Sequence, residues 1–214
     1  MALSAKKAIT KVRRRLMDER ETNFSESELL DYLSEGQFEV VQHVALTWPE
    51  YFLRSSETQL STQNIADGTA NYDLPSGFWM PIHVELTDSD GDTAESTPLS
   101  FERSRDEDAN GHYYRNDDIY IIPTPDAAVT SGLNIWYVSR PSDLTVSSNL
   151  MLGDDFGYAI IAWAVMKAKI RQGEQAGEEA DIWKLCEQRA RMLGLRVNRG
   201  QWNNGPRGRT KQWI

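Results

Sequence analysis

The stretch from Gly153 to Val197 constrains the chain most, because it couples the most apolar segment to one clear helical seam. Phe156, Ile160, Ile161, Trp163, Ala164, Val165, Met166 and Ile170 place apolar side chains almost all round a helix that Asp154 and Asp155 can cap. Such a helix belongs inside a packed body. Gly173 and Gly177 bracket a turn, and Trp183, Cys186, Ala190, Leu193 and Val197 then recur at spacings of three and four, the mark of one buried face. The two segments read as a helical hairpin. Its second arm carries Lys184, Arg189, Arg191 and Arg196 towards the C-terminal half, where they favour the helix dipole and face solvent or a partner.

Two further helices precede it. Ser4 can cap one in which Ala5, Ala8, Ile9, Val12 and Leu16 mark a face, with Lys6, Lys7, Lys11 and Arg13 to Arg15 mostly elsewhere. Its small apolar face, without aromatics, does not suit a membrane surface. Ser25-Glu26-Ser27-Glu28 is a capping box that opens the second helix through Leu29, Leu30, Leu33, Gln37, Val40, Val41, Val44 and Trp48, and Pro49 stops it.

The hundred or so residues between the two helical pairs have a different character. Short apolar runs, Tyr72 to Leu74, Ile82 to Leu86, Ile119 to Ile122 and Leu133 to Val138, alternate with Gly, Pro, Asp, Ser and Asn clusters, the signature of strands. Asp117-Asp118 before one run and Pro123-Thr124-Pro125 after it predict that Ile119 to Ile122 pairs with Leu133 to Val138 as a hairpin. Ser100 to Ala109 reads as a charged loop or short helix. The expected fold class is α+β, a four-helix body with an inserted small antiparallel β module and an extended C-terminal tail. Its expected domains are a helical body at 1–50 and 153–197, a β-rich module at 51–152 and an arm at 198–214.

Charge divides along the same lines. Residues 1–20 carry seven Lys or Arg against two acids, residues 21–150 five against 23, and residues 196–214 five against none. An acidic middle argues against a protein that coats nucleic acid, while the basic ends can touch phosphate or an acidic neighbour. From Asn198 onward the chain has no helical or strand period, yet it holds Trp202 and Trp213 among Arg199, Arg207, Arg209 and Lys211. Ordering such a segment costs roughly 1 kcal/mol or more per residue. Two Trp and the terminal Ile214 return only about 3 kcal/mol each when fully buried. Composition therefore predicts an arm that gains order on a partner, with Trp and Arg as its anchors.

No chemistry assembles from the motifs. His43, His83 and His112 have no Cys or His at metal-ligand spacing, so no metal and no cofactor is expected. Asp88-Ser89-Asp90-Gly91-Asp92 begins like a calcium loop but places Thr93 and Leu99 where Gly and Glu belong, which leaves an acidic turn. GxSxG, Walker A and GxGxxG sequences do not occur, and the acids of Glu102 to Asp108 lie on a polar stretch rather than in an apolar pocket. Cys186 reads as a small core residue, and Asn23-Phe24-Ser25 as a chance sequon. Tyr113-Tyr114-Arg115 interleaves aromatic and basic side chains as a stacking platform would, but acids flank it. MALSAKKAITKVRRRL lacks a continuous apolar stretch and no run is long enough to span a bilayer, so a protein made and kept in a cytoplasm and free of membrane is expected.

In order along the chain, SESELLDYLSEGQFEVV (Ser25 to Val41), NYDLPSG (Asn71 to Gly77), NDDIYIIPTP (Asn116 to Pro125), IWYVSRPSDL (Ile135 to Leu144) and the apolar helix 155–170 resemble the head-to-tail adaptor, or connector, proteins of tailed bacteriophages, particularly short-tailed ones. The resemblance implies a structural virion protein without catalysis. It implies a homo-oligomeric ring, dodecameric in type, beneath the portal protein, with the tail nozzle or other tail proteins attached below and double-stranded DNA passing through the channel without specific binding. It also implies that the C-terminal arm docks to the portal, which makes Arg199, Trp202, Arg207, Arg209, Lys211, Trp213 and Ile214 the expected partner-binding residues. The competing classes are a virion-associated peptidoglycan hydrolase and a nucleic-acid-binding module that uses the basic ends.

Overall fold

Two serines start the first two helices as side-chain caps. The Ser4 Oγ accepts from the Lys7 amide at 3.4 Å to open α1 (Ala5–Leu16), and the Ser25 Oγ accepts from the Glu28 amide at 3.2 Å to open α2 (Glu26–Thr47). The computed structural model describes residues 3–20, 22–53, 58–106 and 108–204. After a single turn α3 (Glu50–Leu53) come seven strands and then the hairpin α4 (Gly153–Arg171) and α5 (Gly177–Asn204). The class is α+β, with four substantial helices and antiparallel sheets. The chain divides into two compact units, one of Met1–Tyr51 with Arg140–Asn203 and one built on Phe52–Ser139.

In the helical unit α4 is the centre. Phe156, Ala159, Ile160, Ile161, Ala162, Ala164, Val165 and Ala168 are buried, as an all-round apolar helix requires, and α1 and α2 both pack on it. Gly36 of α2 lies close against α4: a Cβ there would stand 3.0 Å from the Trp163 Cβ and 3.1 Å from the Ile160 carbonyl oxygen. Asp154 and Asp155 do not take the capping position. The helix starts one residue before them, after Leu152 at φ 56°, and Asp155 instead accepts a hydrogen bond from the Tyr51 hydroxyl at 2.5 Å. Arg140 to Leu152 folds onto the helices through Gln37, whose side chain donates to the Ser142 carbonyl at 3.4 Å and accepts from the Met151 amide at 2.7 Å.

Arg13 departs from the solvated face that α1 was expected to give it. Its guanidinium is buried and donates to Asp18 at 3.3 Å and to the Phe24 carbonyl at 3.2 Å. Burial alone raises the Asp18 carboxyl, but amide hydrogen bonds from Asn23, Thr22 and Phe24, with the Thr22 hydroxyl, outweigh it and hold the group below the ordinary carboxylate value. The pair fixes the loop that turns α1 into α2.

The second unit is a pair of antiparallel sheets over one core. β1 (Thr58–Ile65), β7 (Val129–Ser139), β3 (Phe78–Thr87) and β4 (Thr93–Glu95) form one sheet in the order β1-β7-β3-β4; β2 (Asn71–Asp73), β6 (Asp118–Ile122) and β5 (Gly111–Arg115) form the other in the order β2-β6-β5. Ile65, Tyr72, Val84, Ile119, Ile121, Leu133, Ile135 and Tyr137 fill the space they share. The expected hairpin between Ile119–Ile122 and Leu133–Val138 is overturned: β6 pairs with β5 and β2, and β7 with β1 and β3. The turn that decides this is Asn116-Asp117. Asn116 takes φ 55°, as a two-residue hairpin turn demands, and closes β5 on β6 with Arg115 opposite Asp118.

Between the sheets' last and first strands, Thr97 to Leu99 lies along β5. The His112 amide donates to the Thr97 carbonyl at 2.9 Å and the Leu99 amide to the His112 carbonyl at 2.7 Å. The His112 ring is buried against the Ser96 hydroxyl at 2.9 Å. Burial, with the charge of His83 adding to it, pushes its pKa from 6.5 down to about 4. The folded chain therefore keeps the ring neutral while an unfolded chain takes up a proton. This contribution is fully present above pH 6.5 and is lost as pH falls from 6.5 to about 4, an effect of about 3 kcal/mol. Thermal melts across that interval should fall with pH in the native protein and fall less steeply in His112→Gln.

Candidate interaction surfaces

The sheet unit brings two of its few cations together. Between residues 52 and 139 stand only four arginines, Arg54, Arg103, Arg105 and Arg115, against fifteen Asp and Glu. A single turn of 3-10 helix, Arg103–Arg105, and the end of β5 bring two of them to the exposed ring of Phe101. The Arg105 Cζ lies 4.8 Å and the Arg115 Cζ 5.6 Å from the ring centroid. Tyr113 meets Phe101 edge-on at 5.9 Å and stacks on Tyr120 at 4.9 Å, their planes 16° apart. Among the described residues neither Arg105 nor Arg115 forms an ion pair with a carboxylate of its own chain. The acids flanking Tyr113-Tyr114-Arg115 argue against a stacking platform for bases; in the fold Tyr113 stacks on Tyr120, and the buried Tyr114 hydroxyl is raised above its ordinary pKa by desolvation. The Phe101 cluster as a whole was not anticipated, because Ser100 to Ala109 reads as an undifferentiated charged loop; the signal was the rarity of cations around it.

The acidic turn Asp88–Asp92 joins β3 to β4. The Asp88 carboxylate accepts from the amides of Asp90 at 3.0 Å and Asp92 at 2.8 Å, so the turn is closed by its own backbone and Asp90 is exposed. Along the same sheet His83 sits between Glu85 at 3.0 Å and Glu95 at 3.4 Å and against Trp136 at 5.3 Å. No group of three or more His, Cys, Asp or Glu among the described residues is placed to hold a metal ion, and no described helix is long and apolar enough to cross a membrane.

On the helical unit, α5 presents two faces. One is held by Trp183 against Trp163 at 4.9 Å, by Glu179 against Lys169 at 2.8 Å and by buried Cys186 and Ala190. Burial pushes the Cys186 thiol up to about 11, so it stays protonated as a packing group. The other face exposes Leu185, Arg189 and Met192 in line, one helical turn apart. The sequence ends the helical seam at Val197, whereas α5 continues to Asn204, so Arg199 and Trp202 stand on helical backbone rather than in an extended arm. Residues 198 to 204 contain no proline, so nothing there forbids a helix. Arg207, Arg209, Lys211, Trp213 and Ile214 lie outside the described residues.

Exposed aromatic, arginine and apolar side chains of this kind are the residue types that anchor contacts between proteins. The comparison with known families is specific: the family model described as SU10 adaptor protein matches residues 4–209, and the chain belongs to that family of bacteriophage structural adaptors. No curated protein matches the chain.

Proposed function

We propose that this protein is the head-to-tail adaptor of a short-tailed phage. It forms a ring, a dodecamer, beneath the portal and docks to the portal through its C-terminal arm. The ring offers tail proteins, the nozzle among them, a platform, surrounds a channel for double-stranded DNA, and resides in the virion after assembly in the host cytoplasm. The observation that carries this reading is the family match over residues 4–209, which takes in both folded units and the first part of the arm. Composition supports the arm as the docking element. Arg199, Trp202, Arg207, Arg209, Lys211, Trp213 and Ile214 join cations to large apolar side chains, the pairing that anchors interfaces. In a ring, each docked arm makes the next effectively intramolecular, so weak single contacts add up. The acidic sheet unit suits a wall that must not hold DNA, since carboxylates repel phosphate over about a Debye length of 8 Å.

Mixing the purified protein with its portal and sedimenting the complex tests this reading. Co-sedimentation is expected, and release of soluble fragments from peptidoglycan by the protein alone would replace the reading with a hydrolase.

A further inference from the structure

We infer that Phe101, Arg105 and Arg115 form a socket for the acidic turn Asp88–Asp92 of a second copy of this chain. The inference rests on the ring reading above and names one contact within it. Both guanidinium groups lie over the Phe101 ring, which leaves their N–H edges free to fork onto carboxylate oxygens. A second copy supplies the complementary charge, because its sheet unit carries fifteen acids against four arginines. Nucleic acid is the poorer occupant. Arg105 and Arg115 already lie over the Phe101 ring and Tyr113 stacks on Tyr120, and a nucleic-acid strand, unlike a single turn, would run past the socket onto a unit of fifteen acids against four arginines.

The topology places turn and socket at opposite ends. Thr97 to Leu99 continues from β4 and runs parallel to β5, pairing Pro98 with His112. Asp92 precedes that pairing and Arg115 follows it, a course of up to roughly 30 Å at about 3.3 Å per residue. An acidic tip at one end and a cationic socket at the other is the arrangement of a heterologous, head-to-tail contact, which closes into a ring when the rotation allows.

Charge exchange tests it. Arg105→Glu with Arg115→Glu reverses the socket, and Ser89→Lys with Asp90→Lys reverses the tip while leaving the Asp88 carboxylate that closes the turn. Each pair should weaken multimer formation on the portal on the order of tenfold or more, measured by particle mass, with an unchanged melting curve. All four changes in one chain should restore assembly, and that chain should not mix into wild-type rings. Wild-type multimers unaffected by either pair would overturn the socket alone. Binding of a DNA oligonucleotide that is lost with the arginine pair would assign the arginines to phosphate and overturn it as well. A wild-type chain that forms no multimer with or without portal would remove the ring reading, and the socket with it.

Discussion

Deleting residues 205–214 should abolish co-sedimentation with the portal while the remaining chain melts as the full chain does. The cut follows Asn204, the last residue of α5, so every described helix and strand keeps its own residues. It removes Arg207, Arg209, Lys211, Trp213 and Ile214, the larger part of the proposed anchor set. Loss of a Trp and an Arg from the centre of an interface each costs about 2 kcal/mol or more, and a ring multiplies the loss over its subunits. Trp213→Ala alone should give a smaller defect of the same sign. Undiminished binding by the truncated chain would move docking to the exposed α5 face of Leu185, Arg189 and Met192.

Gly111→Ala should cost the sheet unit about 4 kcal/mol or more. Two causes combine. Gly111 holds φ 150°, a conformation L side chains rarely adopt, and a Cβ there would stand 2.1 Å from the Thr97 carbonyl oxygen. That oxygen cannot move aside without giving up the hydrogen bond from His112, and the neighbouring Leu99 side chain, at 3.1 Å, closes the other way out. Gly157→Ala is the contrast. Its nearest neighbour is the Leu3 Cδ2 at 2.7 Å, the far end of a flexible side chain, so a cost below about 1 kcal/mol is expected. Urea unfolding followed by tryptophan emission measures both.

What could be seen from the sequence follows from how much each element owes to its own residues. An apolar helix such as α4 and a capped one such as α2 announce themselves, because periodicity and Ser25 are local signals. β1, Thr58–Ile65, did not: its TQLSTQNI is mostly polar, since it is an edge strand that buries Ile65 and leaves Leu60 exposed. Strand pairing is hidden in the sequence for a different reason. A proline-rich stop after Ile122 looks like a hairpin turn, but Asn116-Asp117 has the tighter geometry, and only the shared core decides that β7 belongs between β1 and β3. The buried Arg13 was invisible because its partners, Asp18 and the Phe24 carbonyl, lie beyond the end of its own helix. The Phe101 cluster joins a loop arginine to a strand arginine, a meeting that spacing alone cannot supply.

Ring assembly of copies of this chain on a portal is the property on which the proposed function depends. Electron microscopy of the protein mixed with its portal measures that directly: stacked rings, with adaptor density of the portal's own rotational symmetry and arms reaching onto the portal surface, are the expected result. Adaptor chains that remain single, or that bind the portal without rotational order, would contradict it.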